Sequence, residues 1–301
     1  MEVAVIDCGT NTFTLNLFQI DEQGHFERID KSRHYVELAA EGINKIGPGA
    51  YARGLEAFRA FQAFLQNYPD AQVHALGTAA LRRATNSAEF VQAAYEVSNI
   101  QIDIISGQQE ATFIYEGVRH AAPLSEQPSL IMDIGGGSVE LIIGNKEQLF
   151  WAESYPVGVA VLYELFHKSD PISVQDKTAL KEHLRETLAD FLDVLPQYKI
   201  EHFIGSSGSF NMLDKLAGTR IAGATHSVIA RQDFEEVTQQ LVKSNYADRL
   251  LIPNLKATRA KLSVMSALLI EFVQEHLHAP QMIVSDQAMR EGLLQLILQE
   301  G

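Results

Sequence analysis

Cysteine, tryptophan and positive charge are all scarce in this sequence of 301 residues. The single cysteine, Cys8, excludes an intrachain disulfide and fits a reducing cytoplasm. No run approaches the roughly 20 apolar residues that a membrane helix needs. The first residues also lack the basic and apolar regions of a signal peptide. We therefore expect a cytoplasmic protein with no membrane partner.

The deficit of positive charge argues against nucleic acid as a binding partner. Lys and Arg number 24 against 38 Asp and Glu, which gives a formal net charge of −14 at pH 7. Proteins that bind nucleic acid depend on broad positive surfaces, so we expect no nucleic-acid partner. A polyanionic ligand would have to be held by a local basic pocket or through a metal ion.

A strand pattern that ends in Asp and a Gly-containing turn occurs twice in the chain. The first copy passes through Asp7 into residues 8–12 and an alternating segment at 13–18. The second passes through Asp133 into residues 134–138 and an apolar run at 139–143. The two aspartates lie 126 positions apart (133 minus 7), about the length of one domain. Because helical and strand patterns alternate along the chain, we predict an α/β fold with two related lobes.

Capping patterns mark three helix starts between the two copies. Thr78 is predicted to cap a short helix, and Asn86 begins a capping-box spacing. Ser106 and Gln109 form another box of the same kind. The strands predicted at 73–77 and 102–105 lie just before the first and the last of these starts, as a crossover fold requires.

Three tight turns that combine Gly with Ser or Thr follow predicted strands and expose backbone N–H groups, which bind phosphate oxygens. One such turn alone would favour an ordinary hairpin or a flexible linker. The repeated frame of Asp and apolar strands favours phosphate binding for the first two, and both interpretations stay open for the third. The candidate phosphate-binding residues in these turns are Gly9, Thr10, Asn11, Gly135, Gly136, Gly137, Ser138, Gly208 and Ser209.

Taken together, the motifs resemble the exopolyphosphatase and guanosine pentaphosphate phosphohydrolase (Ppx/GppA) family, within the actin, sugar-kinase and heat-shock ATPase superfamily. The glycine-triplet motif at 135–137 and the Ser-Gly-x-x-Glu-Ala motif at 106–111 are highly specific together. The matching segments occur in the same order across nearly the whole chain, at residues 7–12, 78–84 with Asn86, 105–111, 133–140, 208–209 and 290–294. The length resembles that of the short family form.

The resemblance implies two ribonuclease-H-like lobes with an interdomain cleft. We expect the first lobe at residues 1–118 and the second at 119–286. The closing helix at 287–301 is a candidate to pack back on the first lobe. A homodimer is suggested by the resemblance alone.

The resemblance also implies hydrolysis of terminal phosphoanhydride bonds in inorganic polyphosphate or guanosine pentaphosphate, with Mg²⁺ or another divalent cation as cofactor. Glu110 matches the family's catalytic glutamate and is the expected general base. Asp133 and Glu140 are expected to act in catalysis by holding the metal or orienting the water, and Asp7 to have a matching metal or structural role. Arg82 matches a basic residue of the family and is expected to bind phosphate, with a solvated helix charge as an equal alternative.

Departures from the family pattern leave the substrate open. Gln109 stands where a second Glu is common, Glu37 where a basic residue is common, and Lys261 where Asp is expected. Lys261 also belongs to a basic cluster with Lys256 and Arg259, which either guides a polyanion or forms a solvated face.

Two other classes of function remain open on the sequence. One is a phosphotransferase, either from polyphosphate to ADP or of the sugar- or acetate-kinase kind, because the same loops serve kinases. The other is a weakly catalytic protein that binds polyphosphate or an alarmone.

Overall fold

The computed structural model describes residues 1–300 and forms two compact units, Met1–Gln109 and Glu110–Gly301. The first unit contains β1 (Glu2–Cys8), β2 (Thr12–Ile20), β3 (Phe26–Tyr35), α1 (Pro48–Leu65), β4 (Gln72–Gly77), α2 (Ala79–Arg83), α3 (Ser87–Ser98) and β5 (Ile102–Ile104). Its five-stranded sheet has the order β3-β2-β1-β4-β5. The strand β1 is antiparallel to β2 and parallel to β4.

The second unit begins within α4 (Gly107–Ala121). The elements that follow are β6 (Ser129–Ile134), β7 (Val139–Gly144), β8 (Leu149–Tyr155), α5 (Val159–Phe166), α6 (Val174–Thr187), α7 (Ala189–Val194), the 3₁₀ turn Leu195–Gln197, β9 (Phe203–Ser206), α8 (Ser207–Ala217), β10 (Thr219–Arg220), β11 (His226–Ala230), α9 (Arg231–Lys243), α10 (Tyr246–Arg249), α11 (Ala257–Ala260), α12 (Ser263–Gln274), β12 (Gln281–Ser285) and α13 (Met289–Glu300). Its seven-stranded sheet has the order β10-β11-β12-β9-β6-β7-β8. Among the described helices, none has the length and apolar character needed to cross a membrane.

The two sheets share one topology. Taken from its β8 edge, the second sheet has the order β8-β7-β6-β9-β12, which repeats the first sheet's β3-β2-β1-β4-β5. The directions agree as well, because β6 is antiparallel to β7 and parallel to β9, and β9 is parallel to β12. The predicted α/β class with two related ribonuclease-H-like lobes is therefore confirmed, and Asp7 and Asp133 occupy equivalent positions on the central strands.

Apolar side chains of the central strands and of α1 form the core of the first unit. Ala4 and Ile6 on β1 are fully buried on one face of the sheet, where the apolar side of α1 packs. The rings of Phe13 and Phe58 meet edge to face, with their centroids 5.8 Å apart. Cys8 is fully buried in this core, and that burial raises the pKa of its thiol well above the usual range. The cysteine is therefore a packing residue, as the sequence indicated.

Glycine allows a close contact between α4 and α13. A Cβ atom at Gly117 would overlap the carbonyl of Ala288, and one at Gly292 would overlap the carbonyl of Phe113. The helix α13 therefore packs on a part of α4 that the sequence analysis assigned to the first lobe and that lies in the second compact unit. The predicted domain limits at 118 and 286 remain predictions.

The local capping patterns had mixed outcomes. The Ser106 box is confirmed, because Gln109 Oε1 accepts from Ser106 N at 2.9 Å and Ser106 Oγ accepts from Gln109 N at 3.2 Å. The Asn86 box is wrong: its amide instead makes two hydrogen bonds with the backbone of Ile46, at 2.9 and 3.0 Å. The Thr78 cap is also wrong, since its hydroxyl makes no cap hydrogen bond. In both cases the side chain that was predicted to cap the helix makes its hydrogen bonds with a backbone group distant in sequence instead.

Candidate functional site

Two buried acids lie opposite each other on adjacent strands of the second sheet. Asp133 on β6 and Glu140 on β7 are direct cross-strand partners. Such partners project from the same face of the sheet, with Cβ atoms about 5 Å apart. Asp133 is 6% exposed and Glu140 is 1% exposed. Buried carboxylates this close need donors or a cation to offset their charge.

Serine hydroxyls supply such donors on both sides of the acid pair. Ser206 and Ser207 donate to Asp133 Oδ2 at 2.6 and 2.7 Å. Ser154 donates to Glu140 Oε1 at 2.7 Å. The register makes Ser206 the partner of Asp133 and Ser154 the partner of Glu140. A polar row, Ser206–Asp133–Glu140–Ser154, therefore crosses four adjacent strands, and we call it the acid row.

The electrostatics of Asp133 reflect this setting. Burial raises the pKa of the carboxyl group, and the hydrogen bonds from Ser206 and Ser207 and the charge of Arg290 offset only part of that rise. Both serine hydroxyls use Oδ2, so Oδ1 has no hydrogen-bond partner within residues 1–300. The Oδ1 atom is therefore suited to accept from a water molecule or to bind a cation.

The glycine turn at 135–138 follows the acid directly. Gly135 N donates to Ser138 O at 3.0 Å and closes the turn, while the first turn of α5 donates to the carbonyls of Gly135 and Gly136. Gly158 permits this approach, because a Cβ atom there would overlap the peptide between Gly136 and Gly137. In the described part of the chain, the N–H groups of Gly136 and Gly137 have no backbone acceptor. The turn therefore offers amide donors for an anion beside the acid row.

The segment 205–209 is not the loop that the sequence predicted. The strand β9 continues to Ser206, and α8 begins at Ser207, which has a positive φ of 68°. A non-glycine residue in this conformation is strained and is typical of functional sites. Ser209 is buried with its Oγ 3.0 Å from Ser266 Oγ, so its hydroxyl serves packing. Gly208 leaves room for the guanidinium of Arg259, which a Cβ atom at this position would overlap.

The predicted basic cluster divides into separate environments. Arg259 lies against the start of α8, a position that the sequence analysis did not foresee. Lys261 instead lies over the ring of Tyr163, 5.0 Å from its centroid, in a cation–π contact. Lys256 is exposed. Arg259 is therefore set apart from the two lysines, which are both exposed.

The first unit repeats the turn but not the acid row. Gly9 N donates to Thr12 O at 3.1 Å, as Gly135 does to Ser138 in the second unit. The carbonyls of Thr10 and Asn11 accept from the backbone of residues 36–38, while their N–H groups have no backbone acceptor within residues 1–300. Asp7, at the start of this turn, is half-buried. The turn is therefore closed in the same way in both units and presents its amides similarly.

Two further predicted residues lie at helix ends. Arg82 on α2 is partly exposed, and its Nη1 donates to the carbonyl of Ile105 at 2.8 Å. Glu110 is in the first turn of α4, where it is 8% exposed. The structure thus brings together Asp133, Glu140 and the glycine turn, and places Asp7, Arg82 and the turn at 9–12 in the first unit. Sequence reasoning did not foresee the contacts of Ser154, Ser206, Ser207 and Arg259 with the predicted site residues.

The acid row contains two neighbouring carboxylates, which are ligands of the type that Mg²⁺ prefers. Mg²⁺ is usually bound by one or two carboxylates, with water and substrate phosphates completing its octahedron. Asp133 Oδ1 and the neighbouring Glu140 carboxylate match that donor set. No group of three or more His, Cys, Asp or Glu side chains within the described residues could hold a metal by itself.

Comparison with known proteins decides the family. The sequence model of the Ppx/GppA phosphatase family matches residues 18–300. The chain belongs to this family. An exopolyphosphatase crystal structure from Cytophaga hutchinsonii is 30% identical, covers 100% of this chain and 98% of its own, and superposes with a TM-score of 0.94.

Two curated relatives are also similar to this chain in sequence. A Haemophilus influenzae protein named provisionally as an exopolyphosphatase is 30% identical over 296 residues, with 97% of this chain and 90% of the relative covered. A guanosine-5'-triphosphate,3'-diphosphate pyrophosphatase from Vibrio vulnificus is 31% identical over 303 residues, with 99% of this chain and 59% of the relative covered. The predicted family membership is confirmed, and with it the phosphatase class.

Proposed function

We propose that this Ppx/GppA phosphatase hydrolyses the terminal phosphoanhydride bonds of inorganic polyphosphate, guanosine pentaphosphate or both. The observation that supports it most directly is the cross-strand pairing of Asp133 with Glu140 beside a turn that presents free amides. Paired carboxylates can bind a cation and free amides can bind phosphate oxygens, and phosphoanhydride cleavage requires that the charge of the transferred group be neutralised. The named activities of the Vibrio and Cytophaga relatives supply the two candidate substrates.

Binding of the terminal phosphate is assigned to the glycine turn. The N–H groups of Gly136 and Gly137 donate to its non-bridging oxygens, with the Ser138 hydroxyl beside them. In the first unit, Gly9, Thr10 and Asn11 have the same predicted role, and so does Arg82. Charge on the transferred phosphoryl group is spread over its equatorial oxygens in the transition state, so preorganised donors lower the barrier.

Proton transfer is assigned to Glu110. A water molecule attacks the terminal phosphorus and loses a proton to the Glu110 carboxylate. A new P–O bond forms as the bond to the bridging oxygen breaks, and the shortened chain leaves with that oxygen. Burial of Glu110 keeps bulk water away from the carboxylate that accepts the proton.

Asp133 and Glu140 would hold the cofactor Mg²⁺, and Asp7 is the third candidate in the first unit. When bound, the cation neutralises phosphate charge and lowers the pKa of a bound water. Ser154, Ser206 and Ser207 fix the orientation of the two carboxylates in the acid row. Hydroxyl donors of this kind are the partners that typically orient metal-binding carboxylates.

The test is phosphate release with Mg²⁺ from long-chain polyphosphate and from guanosine pentaphosphate. We expect release by wild type and a fall of about 1,000-fold in Glu110→Gln, because general-base catalysis contributes about 10²- to 10⁴-fold. Glu116→Gln is the matched control, since Glu116 is a buried acid on the same helix that pairs with Arg119.

Each outcome has a definite meaning. The substrate that is cleaved faster identifies the preferred activity. No release from either substrate by the folded, magnesium-loaded wild type would refute the hydrolase, and ATP formation from polyphosphate and ADP would replace it with a phosphotransferase. Equal losses of phosphate release in Glu110→Gln and Glu116→Gln would refute the assignment of Glu110 as the general base.

A further inference from the structure

The shared topology allows the acid row to be compared with its equivalent in the first unit. In the second unit, the register across β6, β7 and β8 gives Asp133, Glu140 and Ser154. In the first unit, the register across β1, β2 and β3 gives Asp7, Thr14 and Arg33. Only the first acid is retained. The second acid is replaced by a neutral hydroxyl, and the serine by a cation.

This difference gives the two units different chemistry at equivalent positions. The acid row attracts cations, whereas Arg33 and the Thr14 hydroxyl lie beside a single acid and suit an anion. Asp7 and Thr14 precede and follow the turn at 9–12, in which the N–H groups of Thr10 and Asn11 have no backbone acceptor in the described residues. An anion at this turn would therefore lie near Arg33.

The position of Arg33 is fixed by the backbone. Tyr35 pairs with Thr12 at the end of the turn, and Arg33 is two residues earlier on the same strand and face, about 7 Å away. The backbone after β3 is attached to the turn, because Val36 N donates to Asn11 O at 3.0 Å. A long arginine side chain can span this distance. Arg33 and the phosphate-binding turn are therefore held in one rigid piece of structure.

The Arg33 side chain is available for a ligand. It is exposed, and within residues 1–300 it has no hydrogen-bond or ion-pair partner. Thr14 beside it is 3% exposed, so the base of this region is packed. Charged side chains on an edge strand also prevent association between sheets, and β3 is an edge strand. That role alone would apply equally to Arg28 on the same strand.

We infer that Arg33 binds a non-bridging oxygen of a phosphate group adjacent to the one held by the turn at 9–12. The ligand class is a linear or nucleoside polyphosphate, so the inference rests on the proposed function for its substrate. Arg33 thus belongs to a phosphate subsite formed by the first unit alone.

The test measures binding by calorimetry, with the turnover-deficient Glu110→Gln protein as background and long-chain inorganic polyphosphate as probe. Arg33→Ala should weaken binding about 10-fold, as for loss of one charge-assisted contact, and should lower the slope of log K against log salt by about 0.7. Arg33→Lys should recover part of the affinity. Arg28→Ala is the matched control, because Arg28 is exposed on the same face and strand but pairs with Phe18, about 13 Å further along β2.

The inference is overturned if Arg33→Ala binds polyphosphate as tightly as its background, or if Arg28→Ala and Arg33→Ala lose affinity equally. Melting curves show whether each variant is folded. Phosphate release by the wild type is measured separately. A wild type that binds polyphosphate through Arg33 but releases no phosphate would refute the proposed function and leave this inference intact.

Discussion

Replacing Ser154 by Ala removes one hydroxyl from the acid row and keeps its other three side chains. Ser154 Oγ donates to Glu140 Oε1 at 2.7 Å, and Glu140 is 1% exposed, so bulk water cannot readily replace the lost donor. A hydrogen bond to a charged group contributes about 1.5 to 3 kcal/mol. Since 1.4 kcal/mol corresponds to a factor of ten, its loss is expected to cost roughly 10- to 150-fold.

This loss should appear in two measured quantities. The Mg²⁺ concentration that gives half-maximal phosphate release should rise, because partners that orient metal-binding carboxylates change metal affinity by about 10- to 100-fold. The kcat/KM at saturating Mg²⁺ should fall by about tenfold or more. Ser154→Thr retains the hydroxyl and should retain most of the activity.

The matched control is Ser227→Ala. Ser227 is a buried serine on β11 of the same sheet, and it donates to the carboxylate of Asp214 away from the acid row. It should change stability without changing the dependence on Mg²⁺. If Ser154→Ala kept both the wild-type kcat/KM and the wild-type Mg²⁺ dependence, our assignment of Glu140 to the metal would be refuted.

Three further substitutions test other features of the molecule. Asp133→Asn should abolish phosphate release yet stabilise the fold. Burial raises the folded-state pKa of Asp133, so wild type loses stability relative to the non-titrating variant as pH rises above the unfolded-state pKa of about 4, and denaturant unfolding over a pH series should show this gap widening until the folded-state pKa is passed. Arg249→Met should lower the free energy of unfolding in urea by about 3 kcal/mol, because Arg249 is 1% exposed and pairs with Asp170 at 2.8 Å. Arg220→Met is the control: Arg220 is exposed in its ion pair with Asp286, so its loss should change that free energy by less than about 0.5 kcal/mol. Gly158→Ala should cost about 1 to 3 kcal/mol and impair phosphate release, because its Cβ displaces the glycine turn, and an unchanged melting temperature would contradict that packing.

The duplicated framework was readable from the sequence because its signals are local and occur twice. Apolar strands that end at Asp7 and Asp133, each followed by a Gly-containing turn, predicted the central strands of both sheets. The alternation of strands and helices predicted the α/β class. The strands β3, β8, β10 and β11, which lie at or next to an edge of their sheet, were not predicted, since their sequences mix polar and apolar residues without a clear period.

The residues that support the acids were not readable in the same way. Ser154 is an ordinary serine in a half-buried strand, and only the pairing of β7 with β8 brings it to Glu140. Ser206 and Ser207 lay in a segment singled out for its glycines, but their contact with Asp133 spans more than 70 residues of sequence. A search for polar residues on strands that neighbour a predicted acid would have suggested these serines as candidates. It would not have shown which serine contacts which acid.

The same separation explains the failed helix cap at Asn86. Its amide bonds the backbone of Ile46, 40 residues away, and holds the start of α1 near the start of α3. A capping pattern describes only what the neighbouring backbone offers. When a distant backbone group offers two hydrogen bonds in place of one, the tertiary contact is preferred.

In each unit, the turn that is closed by one backbone hydrogen bond also sets the number of residues between the paired positions on its two flanking strands. Asp133 and Glu140 are seven residues apart, and so are Asp7 and Thr14, with the hydrogen bond across each turn at the same place (140 minus 133; 14 minus 7). Because side chains alternate along a strand, one inserted residue would turn Glu140 to the opposite side of the sheet. The pairing of the two acids thus depends on the number of residues between them. An insertion or deletion in this turn would separate them even if every original side chain were kept.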